Sequence, residues 1–376
     1  MRRTAALGVI LSSLCILPGV RAAGPSSAPA GRRVPIIYSS DLFHPHDDPD
    51  DHFDLATLFA IREFDIRAIL LDQGDRQLER PGAVPLRQIL SLTGRSVPSA
   101  IGLGRKLHSP EDKALDQPDP FQAGVRLFLR TLRESKEPVT VLQTGSLRDI
   151  AAAFNREPAL LREKVARLYL NTGHAGGDKE WNVGLDPHAY VRVMRSGLPI
   201  YWVPCFGPHG YGSLWKFRHD RVLDAVSPRL QNFFIYALAR VSPEKLDPIA
   251  ALSGGLDPAA RAAMWTQERN MWSTASLLHA AGWEPTRSAN GSWRLTPLAP
   301  EAVSGQEGVG APATTAPSSR IVWFEKRRVR LDADGKTWFD DQGGDLDVVI
   351  FRRGDEAAYN AAMTAALRDL LKNIGN

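Results

Sequence analysis

Apolar residues fall along this chain in two alternating rhythms. Continuous runs of five to eight, such as Val34 to Asp41, Asp65 to Asp72, Val97 to Leu103, Val139 to Gln143, Ala166 to Asn171 and Pro199 to Pro204, read as strands buried on both faces. Between them, Asp51 to Arg62, Pro85 to Leu92, Phe121 to Arg133, Leu147 to Asn155 and Pro187 to Ser196 repeat their apolar positions at helical spacing. Strand and helix alternating for about two hundred residues is the pattern of parallel βαβ units, so the expected fold is α/β, a doubly wound and mostly parallel sheet. Past Phe206 the rhythm loosens into glycine-containing, aromatic-rich loops. Arg229 to Val241 and Pro258 to Arg269 look helical again, and this half is expected to cap the sheet. The chain returns with Ile321 to Phe324, a turn at Asp334 and Gly335, an apolar strand from Leu346 to Phe351 and a final helix from Asp355 to Leu371.

Both flanks of this pattern differ from it. Arg2 and Arg3, an apolar run from Ala5 to Leu17 too short to span a bilayer, and a small-residue site at Val20 to Ala23 have the form of a secretory signal over residues 1–22. A Gly/Pro/Ser/Ala linker occupies 23–33, and one domain is expected over 34–376, interrupted by a low-complexity insertion at 305–319 that lacks the apolar content to pack. The expected location is secreted or periplasmic.

Removing residues 1–22 takes away Arg2, Arg3 and Arg21 and no acid, so the net charge of +4 falls to +1, which argues against a nucleic-acid binder. Cys15 leaves with the signal and only Cys205 remains, among apolar neighbours, so no intramolecular disulfide forms and stability rests on the core. No other run is long enough for a membrane helix. A small-molecule substrate is the expected partner, and a homo-oligomer is compatible with the sequence.

Tyr38 to Asp54 holds six aspartates and three histidines between the first strand and the first helix, too much negative charge to leave uncompensated. It reads as a metal site, placed where open α/β sheets bind ligands. His44 and His46 form a His-x-His pair, which raises a transition metal as the competing reading, because imidazole favours zinc and carboxylate favours calcium. Four other segments put polar side chains at strand ends or helix starts: Asp72 to Asp75, Gln143 to Ser146, Glu180 to Asn182 and Leu246 to Pro248. Each alone has a plain structural reading; Asp247 before Pro248, for example, is a natural helix cap.

In order and spacing these motifs resemble the inosine-uridine-preferring nucleoside hydrolases, from about Val34 to Asp247 and again in the last helix. The resemblance implies a calcium-dependent N-glycosidic hydrolase. Asp41, Asp51, the Thr144 carbonyl and Asp247 are implied as calcium ligands, Asp41 also as the catalytic base toward water, and Asp50, Asp75, Glu180 and Asn182 as substrate contacts. A register using Asp48 and Asp54 remains the alternative for the acidic loop. The chain departs from the family at Ser39, where an aspartate is expected, at Asp75, where an asparagine is, and at Leu246, which replaces the histidine that serves the leaving base. Two rival classes stand beside this reading: a secreted sugar- or nucleoside-binding protein without turnover, and a metal-dependent hydrolase of another bond. Aromatic residues Phe206, Tyr211 and Trp215 read either as a stacking wall at the pocket mouth or as packing, and Trp265, Trp272, Trp283 and Trp293 carry the same two readings, with core packing preferred.

Overall fold

Strand β1 (Val34–Ser40) is buried along all but its first residue, which is why its sequence is an unbroken apolar run ending in two serines. The computed structural model describes residues 33–255, 257–299, 320–339 and 344–375. The expected signal at 1–22, the linker before Arg33 and the insertion at 305–319 lie outside the described residues.

On either side of β1 run β2 (Phe64–Leu71) and β4 (Val139–Thr144), both parallel to it, in a register that sets Ser40 level with Leu71 and with Thr144. The loops leaving these three strands therefore emerge side by side. The sheet continues outward through β3 (Ser99–Ile101) beyond β2, and through β5 (Val165–Leu170) and β6 (Ile200–Trp202) beyond β4. The strand order thus reverses between β1 and β4, the topological switch point where such sheets open a crevice at their carboxyl ends.

Two pairs of strands form away from this sheet: β7 (Trp215–Arg218) with β8 (Glu268–Met271), and β9 (Trp283–Arg287) with β10 (Trp293–Pro297), both antiparallel. The far edge of the main sheet is completed by β11 (Val322–Leu331), β12 (Thr337–Phe339) and β13 (Leu346–Arg353). Of these, β13 runs parallel to β6, and β11 is antiparallel to both β13 and β12. The result is a nine-stranded sheet.

Helices cover both faces, as the doubly wound reading requires. The helices Asp50–Ala60, Ala83–Thr93, Pro228–Leu238, Thr274–Ala280 and Glu356–Leu371 supply Phe53, Leu86, Phe233, Leu277 and Tyr359 to one core cluster. Ala123–Glu134, Arg148–Arg156 and Pro187–Met194 supply Phe128, Ile150 and Tyr190 to the other. The segment expected as a helix from Pro258 to Arg269 is helical only to Trp265; Glu268 to Met271 leave it to pair with Trp215 to Arg218. The region after Phe206 thus packs into the first core cluster as well as covering the sheet.

Candidate functional site

The carboxyl ends of β1, β2 and β4 are tied together before any ligand is considered. The Asp41 backbone N–H donates to the Thr144 carbonyl at 3.0 Å, and the Asp72 N–H to the Ser40 carbonyl at 2.9 Å. Gly145, at φ +140°, makes this approach possible: a Cβ there would sit 2.8 Å from an Asp72 carboxylate oxygen and 3.2 Å from the Asp41 nitrogen. Asp72 is then locked by the Ser146 N–H at 2.6 Å and the Ser146 hydroxyl at 2.7 Å. Gln73 adopts a left-handed backbone, φ +58°, which turns its side-chain amide to donate to Asp41 Oδ2 at 3.3 Å.

Asp50 and Asp51 occupy the first turn of the helix Asp50–Ala60, where the helix dipole favours negative charge. Ser40 Oγ donates to Asp51 Oδ1 at 2.8 Å and Thr144 Oγ1 to the same oxygen at 3.4 Å. The inserted loop before this helix is fastened from outside: Arg80 binds the Pro45 carbonyl at 2.7 Å and Asp47 at 2.5 Å, Arg76 also pairs with Asp47, and Arg269 pairs with Asp48 at 2.8 Å. Arg76 also lies 4.5 Å over the Phe43 ring.

The histidines of this loop and of the helix after it pack outside the cleft. His44, His46 and His52 are buried; His44 stacks on Tyr236 at 5.0 Å and meets the Val241 carbonyl at 2.6 Å, and His52 lies 6.0 Å from the Phe233 ring. Burial pulls the pKa of all three below the ordinary histidine value. None of them lines the cleft described next.

A cleft of about 310 Å³ opens over these strand ends, the size of a small-molecule site. Asp41, Asp50, Asp51, Thr144, Glu180 and Asn182, all expected from sequence, line it together. Glu180 caps the short helix Trp181–Leu185; its carboxylate accepts from Asn182 N at 3.0 Å, Val183 N at 3.0 Å, Gly173 N at 2.9 Å and Thr172 Oγ1 at 2.9 Å. Four donors around one carboxylate fix its position.

Asp75 and Asp247 are not brought to the cleft. Asp75 is exposed on the helix Gly74–Glu79 and lies against Gly104, because the turn at Gln73 aims Gln73, not Asp75, at Asp41. Asp247 is exposed and caps the helix Pro248–Ser253, accepting from Ile249 N and Ala250 N at 2.9 Å each; its neighbour Leu246 is 45% exposed. Of the alternative acidic register, Asp48 reaches the cleft lining, whereas Asp54 is buried behind it.

Sequence reasoning missed Asn171, Phe43, Trp181, Trp272 and Ser273 as lining residues. Asn171 follows β5 directly and is oriented by the Gln143 carbonyl at 3.0 Å and the Ser276 hydroxyl at 2.6 Å, so its place at a strand end was the available signal. Trp272, for which packing was the preferred of two readings, lines the cleft, with a buried indole nitrogen that has no partner. Tyr211 and Trp215 are packed inside as the structural reading held, and Phe206 stays 39% exposed. Cys205 lines the cleft, and burial pushes its thiol well above the ordinary value, which makes it unreactive.

Burial, then the charge of Asp51, raises the Asp41 pKa well above the carboxylate range; burial and Asp51 do the same to Asp50. Burial lifts Asp51 to about 7 against the opposing hydrogen bond from Ser40. The strongest charged neighbours of all three are other carboxylates, so these half-buried carboxyls share one site without a counter-ion, which disfavours their ionising together. Oxygen donors of this kind, with the Thr144 carbonyl alongside, fit a hard divalent cation such as calcium. A tighter trio of possible ligands, His108, Asp112 and Asp116 with atoms within 4.8 Å of one another, lies in the loop after β3, where His108 and Asp116 are exposed, away from the cleft.

Residues 45–264 match the profile of the family described as inosine-uridine preferring nucleoside hydrolase. Over 188 residues the chain is 30% identical to the pyrimidine-specific ribonucleoside hydrolase RihA of Escherichia coli O1:K1, covering 44% of this chain and 58% of the relative. RihA of E. coli O139:H28 is 31% identical over the same length and the same shares. The match therefore spans little more than half of these curated relatives. Among solved structures, a plant nucleoside hydrolase, PpNRh1, shares the fold with a TM-score of 0.56 at 16% identity, over 90% of this chain and 99% of that one. An inosine-guanosine nucleoside hydrolase does so with a TM-score of 0.54 at 13% identity, over the same shares.

Proposed function

Since this chain belongs to the inosine-uridine preferring nucleoside hydrolase family, we propose that it hydrolyses the N-glycosidic bond of a nucleoside or related riboside with the help of calcium. The observation that carries this reading is the convergence of Asp41, Asp50, Asp51, Thr144, Glu180 and Asn182 on one cleft at the β1/β4 switch point.

Asp41, Asp51 and the Thr144 carbonyl would hold the cation. The carbonyl already accepts from Asp41 N, and its second lone pair remains for a ligand. Bound calcium would supply a grip on vicinal sugar hydroxyls and acidify a water. Asp41, steadied by Gln73, would orient a water and take its proton as the oxygen closes on the anomeric carbon. Glu180 and Asn182 receive sugar hydroxyls, and Asp50 stands beside them as a further acceptor. As the C–N bond opens, positive charge spreads over the anomeric carbon and ring oxygen, and the surrounding carboxylates stabilise it.

The signal-like pattern of residues 1–22 supports action outside the cytoplasm, in the periplasm or the medium. Among the described residues no helix is long and apolar enough to cross a membrane.

Asp41→Asn keeps the shape and removes the base. Ribose release by this variant is expected to fall by roughly 10²–10⁴-fold. Release at the normal rate from a folded Asp41→Asn protein sinks the proposed role.

A further inference from the structure

At the end of the sheet opposite the cleft, the chain gathers positive charge around a second cavity, of about 430 Å³. Arg33 directly precedes β1, Arg62 sits in the turn into β2 and Arg95 leads toward β3, so three parallel strands bring three arginines to one opening at their amino ends. The seven residues of β1, roughly 23 Å, separate this opening from the strand-end carboxylates. No aspartate or glutamate lines it, and it shares no residue with the cleft.

The three arginines are held differently. Arg95 is half-buried; it donates to the Phe64 carbonyl at 3.0 Å and its guanidinium lies 5.4 Å over the Phe59 ring. Burial, then the charge of Arg33, lowers its pKa, as expected of cations crowded together. Arg33 and Arg62 are exposed and, among the described residues, form no ion pair. Glu63 and Asp65 stand outside the lining, and Asp65 is engaged by Arg67 at 2.6 Å. The helices Asp50–Ala60 and Ala83–Thr93 end at this opening, and each carboxyl end brings roughly half a negative charge. Against three guanidiniums, that leaves an excess of roughly two positive charges. Like charges gathered without a counter-ion repel, and a bound anion removes the repulsion.

We infer that this opening is a binding site for a phosphomonoester dianion, free in solution or borne by a lipid. Its two charges match the excess. A guanidinium fork takes two phosphate oxygens at once, and Arg95 is already oriented by Phe64 and Phe59. Asn373, exposed in the lining, adds an amide donor. Phe59, Leu92 and Ile374 are buried lining residues and give an apolar floor for the organic part of the ester.

The test is calorimetric titration with phenyl phosphate, and with phenol as the uncharged control, in calcium-free buffer so that phosphate meets no cation in the cleft. Arg33→Glu and Arg62→Glu are compared with Arg130→Glu, which makes the same charge change at an exposed position on the helix Ala123–Glu134. Thermal melting checks that each variant is folded. The expected result is saturable binding of phenyl phosphate and not of phenol, weakened roughly tenfold by Arg33→Glu or Arg62→Glu and unchanged by Arg130→Glu. A flotation arm, with phosphatidylcholine vesicles carrying phosphatidic acid, then separates the two sources: flotation that Arg62→Glu abolishes assigns a lipid-borne ester, and no flotation assigns a free one. No saturable binding of phenyl phosphate, whatever the vesicles do, overturns the inference. So does wild-type affinity in folded Arg33→Glu and Arg62→Glu, or an equal loss in Arg130→Glu. The hydrolase reading stands or falls separately, because ribose release is not read in this test.

Discussion

Single side chains in this protein show how burial sets charge. Asp149, on the helix after β4, is buried with one carboxylate oxygen bound to Leu103 N and the other without a partner, and burial with the nearby Asp72 charge lifts it to about 7. An unfolded chain releases that proton near the ordinary carboxylate value, so between about 4 and 7 the folded form binds a proton the unfolded form does not. The contribution of Asp149 to stability is therefore present at low pH, declines as pH rises through that window, and is lost above 7. Asp149→Asn is expected to flatten this part of the pH–stability profile and to raise the midpoint of thermal unfolding at pH 8; an unchanged profile by calorimetry contradicts the assignment. The same scale accounts for part of what sequence could not give. Asp75 and Asp247 sit at the right places in order, yet one turn at Gln73 and one helix cap at Asp247 send both carboxylates elsewhere. Side-chain direction depends on a single backbone dihedral, which motif spacing does not encode.

Among elements, the strand ends matter most. Gly145 lets β4 turn away between Asp41 and Asp72 at a backbone conformation L side chains rarely adopt. Gly145→Ala is expected to cost about 1–3 kcal/mol and to weaken calcium binding and kcat together, as measured by titration calorimetry and ribose release. Calcium affinity equal to wild type contradicts the role given to this turn. The inserted loop makes a second case: Arg80→Ala removes its ties to Pro45 and Asp47, so KM is expected to rise several-fold with kcat less affected. The elements legible in the sequence were the long, doubly buried strands and the helices between them, since a short apolar run bounded by turn residues can bury every side chain only by lying inside a sheet covered on both faces. Those missed were short: the helix Gly74–Glu79, the five-residue helix Trp181–Leu185, the antiparallel pairs β7–β8 and β9–β10, and β12. They run only three to six residues, too short for a period to declare itself, so pairing partners distant in sequence decide their form.

For the whole molecule, the fold gathers half-buried carboxylates without a counter-ion at the β1/β4 switch point, and the proposed function makes that patch the seat of a cation. If calcium binds there as proposed, and only to the folded form, a hundredfold excess over its Kd is expected to add about 2.7 kcal/mol to stability, and chelator to remove it; a melting temperature indifferent to both contradicts the site. Family and sheet topology were readable from the sequence, whereas the closed set of lining residues was not, because Asn171, Trp272 and Ser273 meet the acidic loop only once β5 and the segment after β8 have folded beside it. The central claim is tested most directly by ribose release from a panel of ribosides, neutral and cationic, with calcium and with chelator. The account predicts release that chelator abolishes and calcium restores. Calcium bound and no ribose released from any member of the panel contradicts it.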